Sequence, residues 1–221
     1  MTMEIQISEA LKTNSPQLQL GCLTASVKYE ETCPELWTQI DEMCDLVAAS
    51  LPLEGISILP NVAAARKAYR SCGKDPARYR LSSEALLRRV VQGKGIYKVN
   101  NIVDINNLIS LKYHFSIGAF DLEAIRFPVA FRIGQAGEPY EGIGRGVLNI
   151  ENLPVLADLE GPFGSPTSDS MRTRTHPGMR RLLFCILSFC GVSTMDSALE
   201  ETVSLLERFA QAEDIHRFKV L

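Results

Sequence analysis

The sequence predicts an α+β fold, a β-barrel or β-sandwich-like core flanked by helices. Helical periodicities occupy residues 34 to 111, and from Ile117 the pattern changes to short β-rich pieces separated by glycine. These pieces do not alternate with helices, as a doubly wound parallel sheet would require. The 221 residues, 46% hydrophobic and 22% charged, suffice for a core that needs no disulfide or metal. No repeat or polar linker divides them, so residues 1–221 are expected to form one domain.

Taken in order, Glu4 to Ile7 reads as a short amphipathic strand and Gln19 to Lys28 as a strand that opens the sheet. A helix is expected over Pro34 to Ala49, with proline at the favoured first position behind Thr32 or Cys33, and Leu36, Trp37, Ile40, Met43, Cys44, Val47 and Ala48 at helical spacing. Trp37 therefore reads as a core residue. A second helix spans Val62 to Ser71 and stops near Gly73, a residue suited to a left-handed cap. Ser82 and Ser83 offer N-caps for Glu84 to Val91, which ends at Gly93, and a further helix covers Val103 to Leu111. Strands follow at Ile117 to Phe120, Val129 to Ile133, Glu141 to Leu148, Val155 to Leu159 and Arg181 to Phe189. The chain closes with a helix over Thr194 to Ala212, for which Ser193 and Asp196 form an acidic variant of the capping box, and a strand at Phe218 to Leu221.

Composition excludes several classes. The longest nearly apolar stretch, Leu182 to Val192, is too short for a membrane helix, which needs about 20 residues. The N-terminus carries no basic flank before an apolar run, so a cytoplasmic protein without a membrane partner is expected. The six cysteines lack CxxC spacing and the three histidines are scattered, so the thiols read as reduced and mostly buried, and neither metal nor cofactor is expected. The formal net charge is -3, yet Arg66 to Lys98 holds ten basic residues and two acids, a local charge of +8 that leaves -11 on the rest. Arg172, Arg174, Arg180 and Arg181 form a second basic cluster. Both are candidate phosphate-facing patches, although solvated helix faces also collect such charge. In the first, Arg66, Lys67, Arg70, Arg88 and Arg89 are the candidate phosphate contacts.

The most unusual segment runs from Gly161 to His176, dominated by Gly, Pro, Ser and Thr. Its backbone N–H groups and hydroxyls suit a binding loop, and Arg172 can grip a carboxylate or phosphate with two donors. A Ser/His/Asp triad drawn from Ser165, Ser168 or Ser170 with Asp169 and His176 lacks a GxSxG elbow, and Gly142-Ile-Gly-Arg-Gly146 lacks the spacing of a dinucleotide fingerprint. Arg145, between glycines, either approaches a ligand or belongs to a β-turn. Asp121 is expected to cap a turn into Leu122 to Ile125.

Arg78-Tyr79-Arg80, Ser82-Ser83-Glu84, Val103-Asp-Ile-Asn-Asn-Leu108, Ile117-Gly-Ala-Phe-Asp121, Gly137-Glu138, Leu156-Ala-Asp158 and Ser165-Pro-Thr-Ser-Asp-Ser170 occur in an order that resembles the B3/B4 domain of the phenylalanyl-tRNA synthetase β subunit, over roughly residues 65 to 190. The resemblance implies a β-barrel-like core flanked by helices and an editing pocket that hydrolyses tyrosine misattached to tRNA. It does not imply aminoacylation. It places Asn106, Asn107, Phe120 and Asp121 near the pocket as shape or turn residues, with the Gly161 to Thr173 loop as its rim; Arg78, Tyr79, Gly118, Arg145, Gly164, Ser165, Thr167, Ser168, Asp169 and Arg172 complete the candidate binding residues. Two departures stand out. The family's histidine before Ala-Phe-Asp is Gly118 here, with His114 four residues earlier, and the strand counterpart of the family's tyrosine-reading glutamate, Leu182 to Phe189, contains no acid.

Thr167, Ser168 and Asp169 are the candidate catalytic residues, because ester hydrolysis needs a positioned water and donors for the developing oxyanion. Three functions compete: an editing-type domain that recognises or hydrolyses misacylated tRNA, a module that binds an amino acid or another small ligand without turnover, and a non-catalytic RNA-binding protein.

Overall fold

The computed structural model describes residues 4–191 and 194–221. Among them, β1 (Ile5–Ile7), α1 (Glu9–Asn14), β2 (Gln19–Ser26), α2 (Pro34–Ser50), α3 (Pro60–Ser71), α4 (Ser82–Val91) and α5 (Asn101–Tyr113) precede the β-rich half. There follow β3 (Ser116–Asp121), β4 (Val129–Ile133), β5 (Glu141–Gly142), β6 (Gly146–Val147), β7 (Pro154–Asp158), β8 (Gly161–Gly164), β9 (Arg181–Ser188), α6 (Met195–Ala210) and β10 (Glu213–Val220). One sheet has the order β1-β4-β7-β8 and the other β10-β2-β9-β3, with β5 and β6 forming a separate hairpin. The α+β fold holds, with a sandwich at its centre.

Strand β9 shows why the layers stack. It reads as an unbroken apolar run because both of its faces are buried. Leu183, Cys185 and Leu187 face the sandwich interior with Phe120, Phe131, Leu156 and Phe163. Leu182, Phe184 and Ile186 face a helical layer that includes Leu36 and Ile40 of α2, Ile105 and Ile109 of α5, and Leu199 and Leu206 of α6. Helix α3 contributes Val62, Ala65 and Tyr69 to the sandwich core.

Local chemistry fixes the helices. Pro34 begins α2, and Trp37 donates its indole N–H to the buried Asp104 at 2.8 Å. The Asn100 side chain caps α5 by accepting the Val103 N–H at 2.9 Å, and His114 ends that helix with a left-handed φ of 62°. Asn101 is buried, donates to the carbonyls of Lys28 and Phe209 and accepts from the Glu30 N–H, which joins α5 to the chain on both sides of it.

Several expectations need correction. Ser82 and Ser83 lie inside α4 and do not cap it: Leu81 is the N-cap, the Ser83 hydroxyl meets Ser116, and the Ser82 N–H donates to the Pro166 carbonyl. The expected loop after Gly161 begins as strand β8, because Gly-Pro-Phe-Gly pairs with β7 despite its turn-like composition. Strand β10 starts at Glu213, five residues before the expected Phe218, and α1 went unread. The Ser193 capping box lies outside the described residues.

Candidate functional site

The loop after β8 is wedged between helices and hairpin. The Ser165 hydroxyl accepts the N–H groups of Thr167 and Ser168 at 3.3 and 3.1 Å and donates to the Ser168 carbonyl at 2.8 Å, closing a tight turn. Thr167 shares a 2.9 Å hydroxyl contact with the buried Tyr69 of α3, and its hydroxyl also reaches the Tyr79 carbonyl at 3.4 Å. From the other side, Tyr140 donates to the Ser168 carbonyl and the Ile143 N–H donates to the Asp169 carbonyl. Gly142 forms a bridge with Ser170, and a side chain there would run into Leu148 and press on Ser168. The hairpin approaches this closely because that residue is glycine.

Arg145 lies in the hairpin turn, its N–H donating to the Gly142 carbonyl, and its charge is felt at Tyr69. Of the two sequence readings of Arg145, the structure shows the turn residue, with its charge reaching Tyr69 of the loop's hydroxyl cluster. Burial pushes the Tyr69 and Tyr140 phenols upward, so both stay protonated at neutral pH.

Asp169 is half-buried, and loss of hydration pushes its carboxyl up to about 8. Hydrogen bonding from the Ala119 and Ser165 backbone amides pulls the other way and is outweighed. At neutral pH the group is therefore an uncharged acid that can donate.

His176 and Asp121 pair at 3.0 Å through Nε2, while the histidine's Nδ1 lies 2.9 Å from the Pro177 carbonyl. Each nitrogen faces an acceptor, which favours the doubly protonated ring and raises its pKa, the Pro177 carbonyl contributing most. Such a ring is not a general base. Asp121 also accepts the Glu123 N–H at 3.0 Å, so it caps the turn.

The remaining candidates divide. Gly118 and Phe120 face the sandwich interior beside the loop, and Gly164 stands across from them. Asn106, which donates to the Ile117 carbonyl at 3.3 Å, and the half-buried Asn107 belong to α5, on the helix-covered side of β3. Arg78 is exposed with its guanidinium 5.7 Å from the centre of the Tyr79 ring. Arg172 clamps the β7–β8 turn, reaching Asp158 at 2.8 Å, Glu160 at 3.2 Å and the Ala124 carbonyl at 3.0 Å. Its two-pronged grip is taken up within the protein.

The basic patch divides as well. Arg66 and Arg88 both turn inward to the buried Glu84, each at 2.9 Å, with Arg80 at 3.9 Å. Arg89 donates to the carbonyls of Lys94 and Gly95 and covers the Tyr97 ring. Lys67 and Arg70 are exposed on α3. The sequence reading missed Tyr69, Tyr140 and Glu84. Only Glu84 left a signal, a lone acid four residues from both Arg80 and Arg88.

A two-sheet sandwich backed by helices, with a hydroxyl-rich loop and a glycine hairpin at one edge, defines an α+β domain with a compact polar site. Residues 64–211 match the family described as the B3/4 domain, and the chain belongs to that family. Among solved structures it is similar to an N-terminal fragment of the phenylalanyl-tRNA synthetase β-subunit from Pyrococcus horikoshii, at 13% identity and a TM-score of 0.49, over 99% of this chain and 54% of that one. The chain thus spans about half the length of that fragment. No curated protein matches.

Proposed function

We propose that this B3/4 domain recognises the aminoacyl end of a tRNA and hydrolyses the ester of a misattached amino acid. The observation that carries this reading is Asp169, an acid kept uncharged near neutrality, on a loop beside Tyr69, Tyr140 and the charge of Arg145. Hydrolysis adds water to the ester carbonyl, places negative charge on its oxygen, and then expels the ribose oxygen, which takes up a proton. A neutral carboxyl can donate a hydrogen bond to the oxyanion and then that proton to the leaving oxygen. His176, doubly engaged, leaves the attacking water to the bulk or to the substrate's own groups. Exposed Lys67 and Arg70 supply the phosphate-facing charge.

A second reading, amino-acid binding without turnover, is favoured by one observation: the N–H groups of Thr167 and Ser168 close onto Ser165 and are not presented as an oxyanion hole. Single-turnover deacylation separates the two. Asp169→Ala should slow hydrolysis at least tenfold at pH 7 with RNA affinity retained, as should Thr167→Ala combined with Ser168→Ala. Unchanged rates in both variants would remove this loop from the chemistry.

A further inference from the structure

The segment joining α4 to α5 carries an aromatic ring on the surface. Tyr97 is 70% exposed, whereas the preceding Ile96 packs against the cluster that includes Leu87 and Val90. Burial therefore accounts for Ile96 and not for Tyr97. The tyrosine ring is nevertheless held in place. The Arg89 guanidinium lies 4.3 Å from its centre and donates to the carbonyls of Lys94 and Gly95 at 3.3 and 3.1 Å. Gly95, with a φ of 57°, lets the chain fold back far enough for these contacts. One face of the ring is covered by a cation, and the rest is open to solvent.

The charge around the ring has one sign. No acid occurs between Glu84 and Asp104. Both of these are buried and engaged, Glu84 by Arg66 and Arg88, Asp104 by the Trp37 indole and the Val99 N–H. Among the described residues, Arg89, Lys94 and Lys98 have no carboxylate partner, and both lysines are exposed. A fixed ring with a free face, set among cations, has the chemistry of a stacking platform: the ring takes the face of an unpaired base and the ammonium groups take the flanking phosphates. A duplex keeps its base faces stacked and offers this surface phosphates alone.

Helix α4 links this surface to the 165–170 loop. The Ser82 N–H donates to the Pro166 carbonyl at one end of the helix, and Arg89 stands near the other. These residues are seven apart, on one face and about 10 Å apart along the axis. About three stacked nucleotides, at roughly 3.4 Å each, cover that distance. An unpaired strand with its end at the loop therefore comes within reach of Tyr97.

We propose that Tyr97, backed by Arg89 and flanked by Lys94 and Lys98, is a binding site for unpaired RNA, stacking a base a few nucleotides from the strand's end. This rests on the RNA recognition in the reading above and not on hydrolysis. The test is fluorescence anisotropy at about 0.1 M salt, with labelled oligouridylate as the single strand and a blunt RNA duplex of equal length as control. Tyr97→Ala should weaken single-strand binding roughly fivefold to a hundredfold and change duplex binding less than twofold. Tyr97→Phe should retain the wild-type affinity, and Tyr97→Leu, which covers Arg89 without offering a ring face, should lose it as alanine does. Lys94→Ala with Lys98→Ala should reduce the single-strand salt slope by about 1.4. Absence of wild-type binding to oligouridylate would overturn the proposal, as would an unchanged affinity in Tyr97→Ala, an equal loss on duplex, or a leucine variant that binds like wild type. Deacylation fails or succeeds separately: a protein that stacks RNA on Tyr97 and cleaves no ester loses the hydrolytic reading and keeps this site, and one that cleaves esters with Tyr97→Ala binding as wild type keeps hydrolysis and loses this site.

Discussion

Replacing Glu84 by alanine tests how the basic patch is built. Its carboxylate is buried, with a side-chain exposure of 1%, and accepts from Arg66 at 2.9 and 3.1 Å and from Arg88 at 2.9 Å. The variant leaves two partly buried guanidinium groups facing each other around a vacated space. Removing one member of a buried charge cluster costs about 3–5 kcal/mol. With a urea dependence of about 2–3 kcal/mol per molar for a domain of this size, the unfolding midpoint should fall by roughly 1–2.5 M. Glu84→Gln keeps the shape and part of the hydrogen bonding, so its loss should be smaller. Urea unfolding followed by far-ultraviolet circular dichroism measures both. A midpoint within 0.3 M of wild type, about 1 kcal/mol or less at that urea dependence, would mean that Arg66 and Arg88 are not held inward by Glu84 and would return them to the set of phosphate contacts.

Two further outcomes follow from the same geometry. Asp169 has a folded-state pKa raised to about 8 against about 3.9 in an unfolded chain, so its contribution is fully present below pH 4 and is lost as pH rises through about 8. Wild-type stability should therefore decline from acid toward pH 8 in this component, and Asp169→Asn should remove the decline; identical pH profiles in denaturant unfolding would refute the raised pKa. For RNA affinity, Lys67→Ala with Arg70→Ala should reduce the slope of log affinity against log salt by about 2, whereas Arg66→Ala should lower stability with little change in slope; a larger slope change from Arg66 than from the pair would reverse the assignment.

How far the sequence revealed these features depended on whether their causes were local. Helix α2 was legible from Pro34 and the spacing of Leu36, Trp37 and Ile40, and β9 from a continuous apolar run with both faces buried. Strand β8 was not, because Gly-Pro-Phe-Gly carries the composition of a turn and becomes a strand only by pairing with β7. The loop from Ser165 to Ser170 stood out by composition, but how it is held depends on Tyr69, which meets the Thr167 hydroxyl, and Tyr140, which donates to the Ser168 carbonyl, 98 and 28 residues from their contacts. Charge clustering likewise marked Arg66 to Lys98 without distinguishing Arg66, turned onto Glu84, from its neighbour Lys67, turned to solvent. Gly118 was legible as a departure from the family pattern. That Phe120 fills the space beside it required coordinates from two strands of opposite sheets.

The central claim is tested most directly by single-turnover deacylation of a panel of misacylated tRNAs, with the wild-type protein in excess over RNA and rates corrected for spontaneous hydrolysis. Acceleration of at least one ester, fading as pH rises above about 8 where Asp169 loses its proton, is the predicted result. A panel in which no ester is cleaved faster than in buffer would contradict it and leave a B3/4 domain that binds without turning over.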